Sequence, residues 1–277
     1  MKKTSKNAAL VLMLSASLAM SAAQDPGNPS RVVPPHARSQ QELDDYRAAN
    51  AAAGGEGLER AAVRFAAHYP QSELSQFLFA KAMLQYQAEN NPARMLAMGE
   101  KVLALDPDHS LALVLTATAL ADNLGSGDSD RDHQIAEIKK NAGRALETIG
   151  SRYVPPASAT PKQTELYRQT LQSMAHAALG IMRLKTGDYA DAEKDLKAAA
   201  ELSKSKPDPY IWYHLALAQD HRKRYPAALN SVEQALQLAS ANPDLQKMAE
   251  TEHERLTRLT GRNRDAPPDS GGERPPQ

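Results

Sequence analysis

The chain has 277 residues, 42% of them hydrophobic and 24% charged, with 14 Gly, 18 Pro and no Cys. That composition excludes a collagen-like chain, a disulfide scaffold and a wholly disordered one, and the missing thiol excludes cysteine catalysis and thiolate metal sites. Lys and Arg together number 33, as do Asp and Glu, and this formal charge of zero speaks against a protein that grips nucleic acid or acidic lipid by bulk charge. Aromatics are only 5%, while Ala recurs in runs such as Ala198 to Ala200, which predicts an all-α protein of closely packed helices.

Residues 1–23 combine a basic start (Lys2, Lys3, Lys6), an apolar stretch from Ala8 to Met20 and the small residues Ser21, Ala22 and Ala23. This is the layout of a secretory signal peptide, and the apolar stretch is shorter than the roughly 20 residues a spanning helix needs. Cleavage after Ala23 is expected, leaving 30 basic against 33 acidic groups and no stable membrane anchor. The expected location is the periplasm or the cell exterior. Residues 24–40, with Asp25-Pro26-Gly27, Pro29 and Pro34-Pro35, read as a flexible linker.

Residues 41–260 read as one helical repeat domain. A degenerate helix pair is predicted over 41–70, with Leu43, Tyr46 and Ala49 before Gly54-Gly55, and Leu58, Ala62 and Phe65 after it. A second pair spans 73–107 and ends at Leu105-Asp106-Pro107. The third, over 110–149, is divergent: the Gly125-Ser126-Gly127-Asp128-Ser129-Asp130 segment separates its helices. Gly150 to Pro161 follows as a long loop or as a lid led by Tyr153, and a long helix is expected from Lys162 to Lys185.

The clearest pairs lie in 173–243. Six positions recur at an offset of 36: His176 and Trp212, Leu179 and Leu215, Tyr189 and Tyr225, Ala192 and Ala228, Leu196 and Val232, Ala199 and Ala235. Ala192, Leu196 and Ala199 follow the spacing of one helical face. In Leu179-Gly180 and Leu215-Ala216 a large residue precedes a small one, so the partner helix can approach closely. Gly187 suits the left-handed turn between helices; the matching turn at Lys223-Arg224-Tyr225-Pro226 has no Gly, but Pro226 suits a first helical turn. A capping helix is predicted over 244–260, and 261–277, rich in Pro and Gly, reads as a disordered tail.

These repeats resemble the tetratricopeptide repeat (TPR) family, most clearly in 173–243. The resemblance implies a TPR-like α-solenoid, a right-handed superhelix of antiparallel helix pairs, whose first helices line a concave protein-binding face. It places Phe77, Leu84, Val114, Ile181, Lys185, Tyr210, Tyr213, Leu217 and His221 on that face. The Lys, Arg and Asn with which some members clamp a partner's terminal carboxylate are not matched, since Leu84, Val114, Ala177 and Ile181 stand there. An apolar groove with Tyr210 and Tyr213 at one end is expected to bind an extended or helical peptide.

No chemistry is expected. The eight His lack metal-ligand spacing, Asp128 to Asp132 lacks the Gly and distal Glu of a calcium loop, and no nucleophile elbow or phosphate loop occurs. The reading is a non-enzymatic, cofactor-free scaffold that binds a protein or peptide. Two alternatives stay open: an envelope component that self-associates or docks on a larger membrane complex, and an enzyme with a cryptic site. A size measurement separates the first from a monomeric binder.

Overall fold

The computed structural model describes residues 36–127, 129–152 and 159–265. The predicted signal peptide, its cleavage point, most of the linker, the Tyr153 lid and the tail beyond 265 lie outside the described residues.

Among the described residues eleven α-helices run in order: α1 (Gln40–Asn50), α2 (Gly54–His68), α3 (Ser75–Ala88), α4 (Pro92–Leu105), α5 (Ser110–Asn123), α6 (Arg131–Arg152), α7 (Pro161–Thr186), α8 (Tyr189–Leu202), α9 (Pro209–His221), α10 (Tyr225–Leu238) and α11 (Pro243–Asp265), with a short 3₁₀ turn at Ala239–Ala241. No strand occurs among the described residues. The first ten form five antiparallel pairs, each packed on the next, and α11 closes the last. This is a TPR-like stack of helix pairs.

Local chemistry sets the helix starts. Asn91-Pro92, Thr160-Pro161, Asp208-Pro209 and Asn242-Pro243 each put a capping side chain before a proline that needs no hydrogen-bond donor. Thr160 and Gln163 add a reciprocal capping box.

Three of the turns inside pairs share one geometry. Asn90 (φ 54°), Gly187 (φ 86°) and Lys223 (φ 60°) are left-handed. The next residue's N–H then reaches back to a carbonyl five residues earlier: Asn91 to Tyr86, Asp188 to Arg183, Arg224 to Gln219, each at 2.9 Å. Only Gly187 adopts this backbone without a Cβ penalty. Lys223 is exposed, and Lys223→Gly is therefore expected to raise stability by about 1 kcal/mol in urea denaturation.

Aligning the pairs on these turns exposes the packing rule. Gly180 of α7 lies against Leu196 of α8, where an added Cβ would come within 2.6 Å of Leu196 Cγ. One unit on, the same positions are Ala216 and Val232, both fully buried. In α3 and α4 they are Met83 and Gly99, with the sizes exchanged; a Cβ on Gly99 would meet Met83 Sδ at 3.4 Å. Each crossing holds one small and one larger residue, so the pair closes without a void or a clash.

Buried polar contacts repeat as well. Asp195, 6% exposed, pairs with Arg183 across α7 and α8 and lies 3.0 Å from His176 Nδ1. At the equivalent positions across α9 and α10, Ser231 donates to Gln219 Oε1 at 2.7 Å. A neutral hydrogen bond there replaces the ion pair.

The divergent third unit absorbs its extra length by extending helices. α6 runs to Arg152 and α7 starts at Pro161, well before the region where the matching helix α9 begins. Ile149 and Leu171, on the added turns, are fully buried in the same core. Arg131 ties the intervening insertion to α7, bonding the carbonyl oxygens of Gly125 and of Lys185.

Candidate functional site

Several first helices pack on the next first helix, α1 on α3, α5 on α7, α7 on α9 and α9 on α11, whereas α3 and α5 do not pack together in this way. Among the described residues, no two second helices pack together in this way. A stack whose one layer is drawn together while the other fans apart curves around the tight layer, so the first helices line the inner face.

The nine expected groove residues do not all lie on that face. Val114 is fully buried, Ile181 is 5% exposed and Tyr213 9% exposed. These three are corrected to core positions. Val114 and Ile181 fill the contact between α5 and α7, and Tyr213 packs with Ala216, Val232 and Leu245 under α11. Phe77, Leu84 and Leu217 are half-buried against the core and offer only an edge. Close packing of the Ala-rich first helices thus takes the apolar side chains of Val114, Ile181 and Tyr213 into the core.

The polar candidates do reach solvent. Lys185 is exposed and its Nζ donates to the carbonyl oxygens of Ala121 at 2.8 Å and Asp122 at 2.7 Å, fastening the end of α7 to the end of α5. Tyr210 is half-buried, with its hydroxyl accepting from Asn242 Nδ2 at 2.7 Å. His221 is exposed and stacks face to face on Tyr189, with ring centroids 4.2 Å apart. It belongs to the outer edge formed by α8 and α9.

Three ionisable residues that sequence reasoning missed complete the inner face: Asp122, Asp208 and His214. Burial pushes the half-buried Asp122 carboxyl up to about 6; Lys185 opposes this and the charge of Asp208 assists it. Burial also raises Asp208, although that residue is exposed, and its bond from the Tyr210 N–H acts the other way. His214 Nδ1 donates to the Tyr210 carbonyl at 2.8 Å, yet burial drives the imidazole down to about 4, with Lys185 adding to the effect. Burial raises the Tyr210 hydroxyl too, and the charges of Asp208, Asp122 and Asp244 act on it. Charges at the ends of α5, α9 and α11 thus act on Tyr210.

Chemically, this surface offers carboxylate acceptors, one ammonium, an imidazole and a phenol. Among the described residues no group of three or more His, Asp or Glu is arranged to hold a metal ion. No described helix is long and apolar enough to cross a membrane.

No family model matches the chain, and no curated protein matches it. Among solved structures, a thermophilic TPR protein of Thermus thermophilus is similar, at 18% identity and a TM-score of 0.45, with the match covering 76% of this chain and 98% of that one.

The titration of Asp122 has a definite sign. Its folded pKa near 6 exceeds the ordinary 3.8, so its contribution to stability falls as pH rises from about 4 to 6 and stays low above that. Asp122→Asn should stabilise the protein by about 1 kcal/mol at pH 8 and leave it unchanged at pH 4, as read by urea denaturation. His214 works oppositely: its depressed pKa withdraws stability as pH falls from 6.5 towards 4. Each partly masks the other in the parent protein.

Proposed function

We propose that this chain is an exported, non-enzymatic scaffold that binds a protein or peptide along the inner layer formed by α5, α7, α9 and α11. The observation that carries the reading is the grouping at the ends of α5, α7 and α9: Lys185 bonded to the Asp122 carbonyl, His214 to the Tyr210 carbonyl and the Asp208 carboxylate to the Tyr210 N–H, all on side chains that are half-buried or exposed. An extended peptide, with its N–H donors and carbonyl acceptors, suits these carboxylate, ammonium, imidazole and phenol groups. Export to the periplasm or cell exterior follows from the signal-like arrangement of residues 1–23.

The alternative is an envelope component that packs edge to edge with copies of itself or docks on a larger membrane complex, and a size measurement on the mature protein separates it from a monomeric binder. α1 carries exposed Gln40, Asp44 and Arg47, and α11 carries exposed Gln246, Lys247 and Glu250 together with the exposed apolar Met248.

The test is affinity capture from an envelope extract by the purified protein, compared with an Asp122→Asn, Asp208→Asn variant. Asn at 208 keeps the helix cap while removing charge. The expected result is loss of the captured protein with the circular dichroism spectrum intact; equal capture by the variant overturns the inner-layer site. N-terminal sequencing of the exported form is expected to begin at Gln24.

A further inference from the structure

Glu193 of α8 is 1% exposed, and its two oxygens are saturated. Oε1 accepts from Arg224 Nη1 at 2.6 Å, Lys197 Nζ at 2.7 Å and Gln219 Nε2 at 3.4 Å, and Oε2 accepts from Arg222 Nη1 at 2.5 Å. One cation neutralises a buried carboxylate, but three converge here. Their side chains remain 49%, 38% and 47% exposed for Lys197, Arg222 and Arg224. Among the described residues, neither arginine pairs with a second carboxylate. Each guanidinium has five N–H donors and spends one on Glu193, so most of each fork faces outward, fixed by the buried anchor.

The repeat framework does not require this arrangement. In the preceding unit the residues equivalent to Arg222, Lys223 and Arg224 are Thr186, Gly187 and Asp188, with Asp188 capping α8 through the Asp191 N–H. Arg224 gives up that cap, as α10 has no side-chain capping bond, and Lys223 takes the left-handed backbone that Gly187 occupies freely. The turn thus accepts two local penalties to present three consecutive cations. Departures from local rules of this kind mark functional positions. Beside them, the stacked rings of Tyr189 and His221 form a flat platform.

We propose that the edge formed by Lys197, Arg222 and Arg224 is a second interaction surface, which takes a carboxylate-rich segment of a protein partner. The inference rests on the scaffold reading above. Cations spread over α8 and the α9–α10 turn fit several carboxylates on an extended chain, engaged in bidentate fashion by the two guanidinium groups. The formal net charge of zero leaves the positive potential local to this edge, which sets it apart from the broad basic face that nucleic acid needs.

The experiment titrates the purified protein into fluorescein-labelled hexaglutamate and follows anisotropy. Binding that weakens with salt is expected, and Arg222→Gln, Arg224→Gln should weaken it about tenfold or more. Because that variant strands a buried charge, a Glu193→Gln, Arg222→Gln, Arg224→Gln triple variant is measured in parallel and is expected to fold and to show the same loss. Lys204→Gln, on the turn that follows α8 but paired with Glu201, should bind as the parent does. Absence of binding, undiminished binding by the folded triple variant, equal loss in Lys204→Gln, or equally effective competition by inorganic phosphate overturns the proposal. The peptide readout is separate from partner capture, and the Asp122→Asn, Asp208→Asn variant should bind hexaglutamate normally. Failure of the edge thus leaves the inner-layer reading standing, and failure of the inner layer leaves the edge measurable.

Discussion

Replacing Glu193 with alanine is expected to lower the unfolding free energy by about 3 kcal/mol at pH 7. The figure sits at the low end for a broken buried ion cluster because the three cations are half-exposed and turn to water once released. What water does not repair is the core. Gln219 is 3% exposed and Ser231 4% exposed, and they continue the chain of hydrogen bonds from Glu193 of α8 through α9 to α10. Without the carboxylate, the Gln219 amide N–H group is buried with no acceptor. Glu193→Gln keeps an acceptor for it and is expected to cost about half as much.

The same carboxylate sets an acid limit. Burial alone raises its pKa, but the hydrogen bond and charge of Lys197, the charge of Arg224 and the Gln219 amide outweigh burial and hold it below the usual 4.5. A depressed carboxylate stabilises the folded state above its unfolded pKa, and this contribution disappears as pH falls through the folded value. The gap between parent and Glu193→Gln should therefore close below about pH 4.5. Trp212, the chain's single tryptophan, lies in α9 where the central and C-terminal core clusters meet. Its fluorescence reports on α9 and its neighbours, while circular dichroism reports on the whole stack. In a repeat array stability is a sum over neighbouring interfaces, so Glu193→Ala should separate the two transitions, with Trp212 melting first. Coincident transitions with an unchanged midpoint would contradict the account.

The repeats were legible because they write their geometry in residue size and turn chemistry. Gly187, Pro226, the offset of 36 and the long helix before Lys185 all predict what is observed. The inner face was less legible. A first helix in a stack is covered by second helices on two sides and by the neighbouring first helix as well, so helical periodicity overstates what remains free. Ser110 to Ala121 carries no charged residue, the one sequence signal that α5 is buried nearly all round and that Val114 is core. Glu193 was illegible for the opposite reason. A charged residue on an amphipathic helix reads as solvated face, and only the fold brings Arg222 and Arg224 over it. Asp122 and Asp208 stand at helix ends, where a carboxylate reads as a cap or a solvated end, and their desolvation comes from tertiary packing that sequence does not display.

The Gly180 and Leu196 crossing yields a prediction that separates packing from mere tolerance. Gly180→Ala alone improves helix propensity by about 1 kcal/mol, yet it sets a Cβ 2.6 Å from Leu196 Cγ and 3.2 Å from the Leu196 backbone nitrogen. Because one of those atoms belongs to the backbone, α8 itself must move, and a net loss of about 2 kcal/mol is expected. Leu196→Val alone leaves a methylene-sized void and should cost about 1 kcal/mol. Together the two substitutions reproduce the Ala216 and Val232 crossing of the next unit, which is fully buried and holds the same number of side-chain carbons. The double variant is accordingly expected to lie within about 0.5 kcal/mol of the parent, because its Ala gains helix propensity and its Val vacates the space the new Cβ needs. A double-mutant cycle by urea denaturation measures the coupling directly. Simple additivity of the two losses would show that the crossings are not interchangeable and that the size exchange among Met83/Gly99, Gly180/Leu196 and Ala216/Val232 does not determine how closely each pair packs.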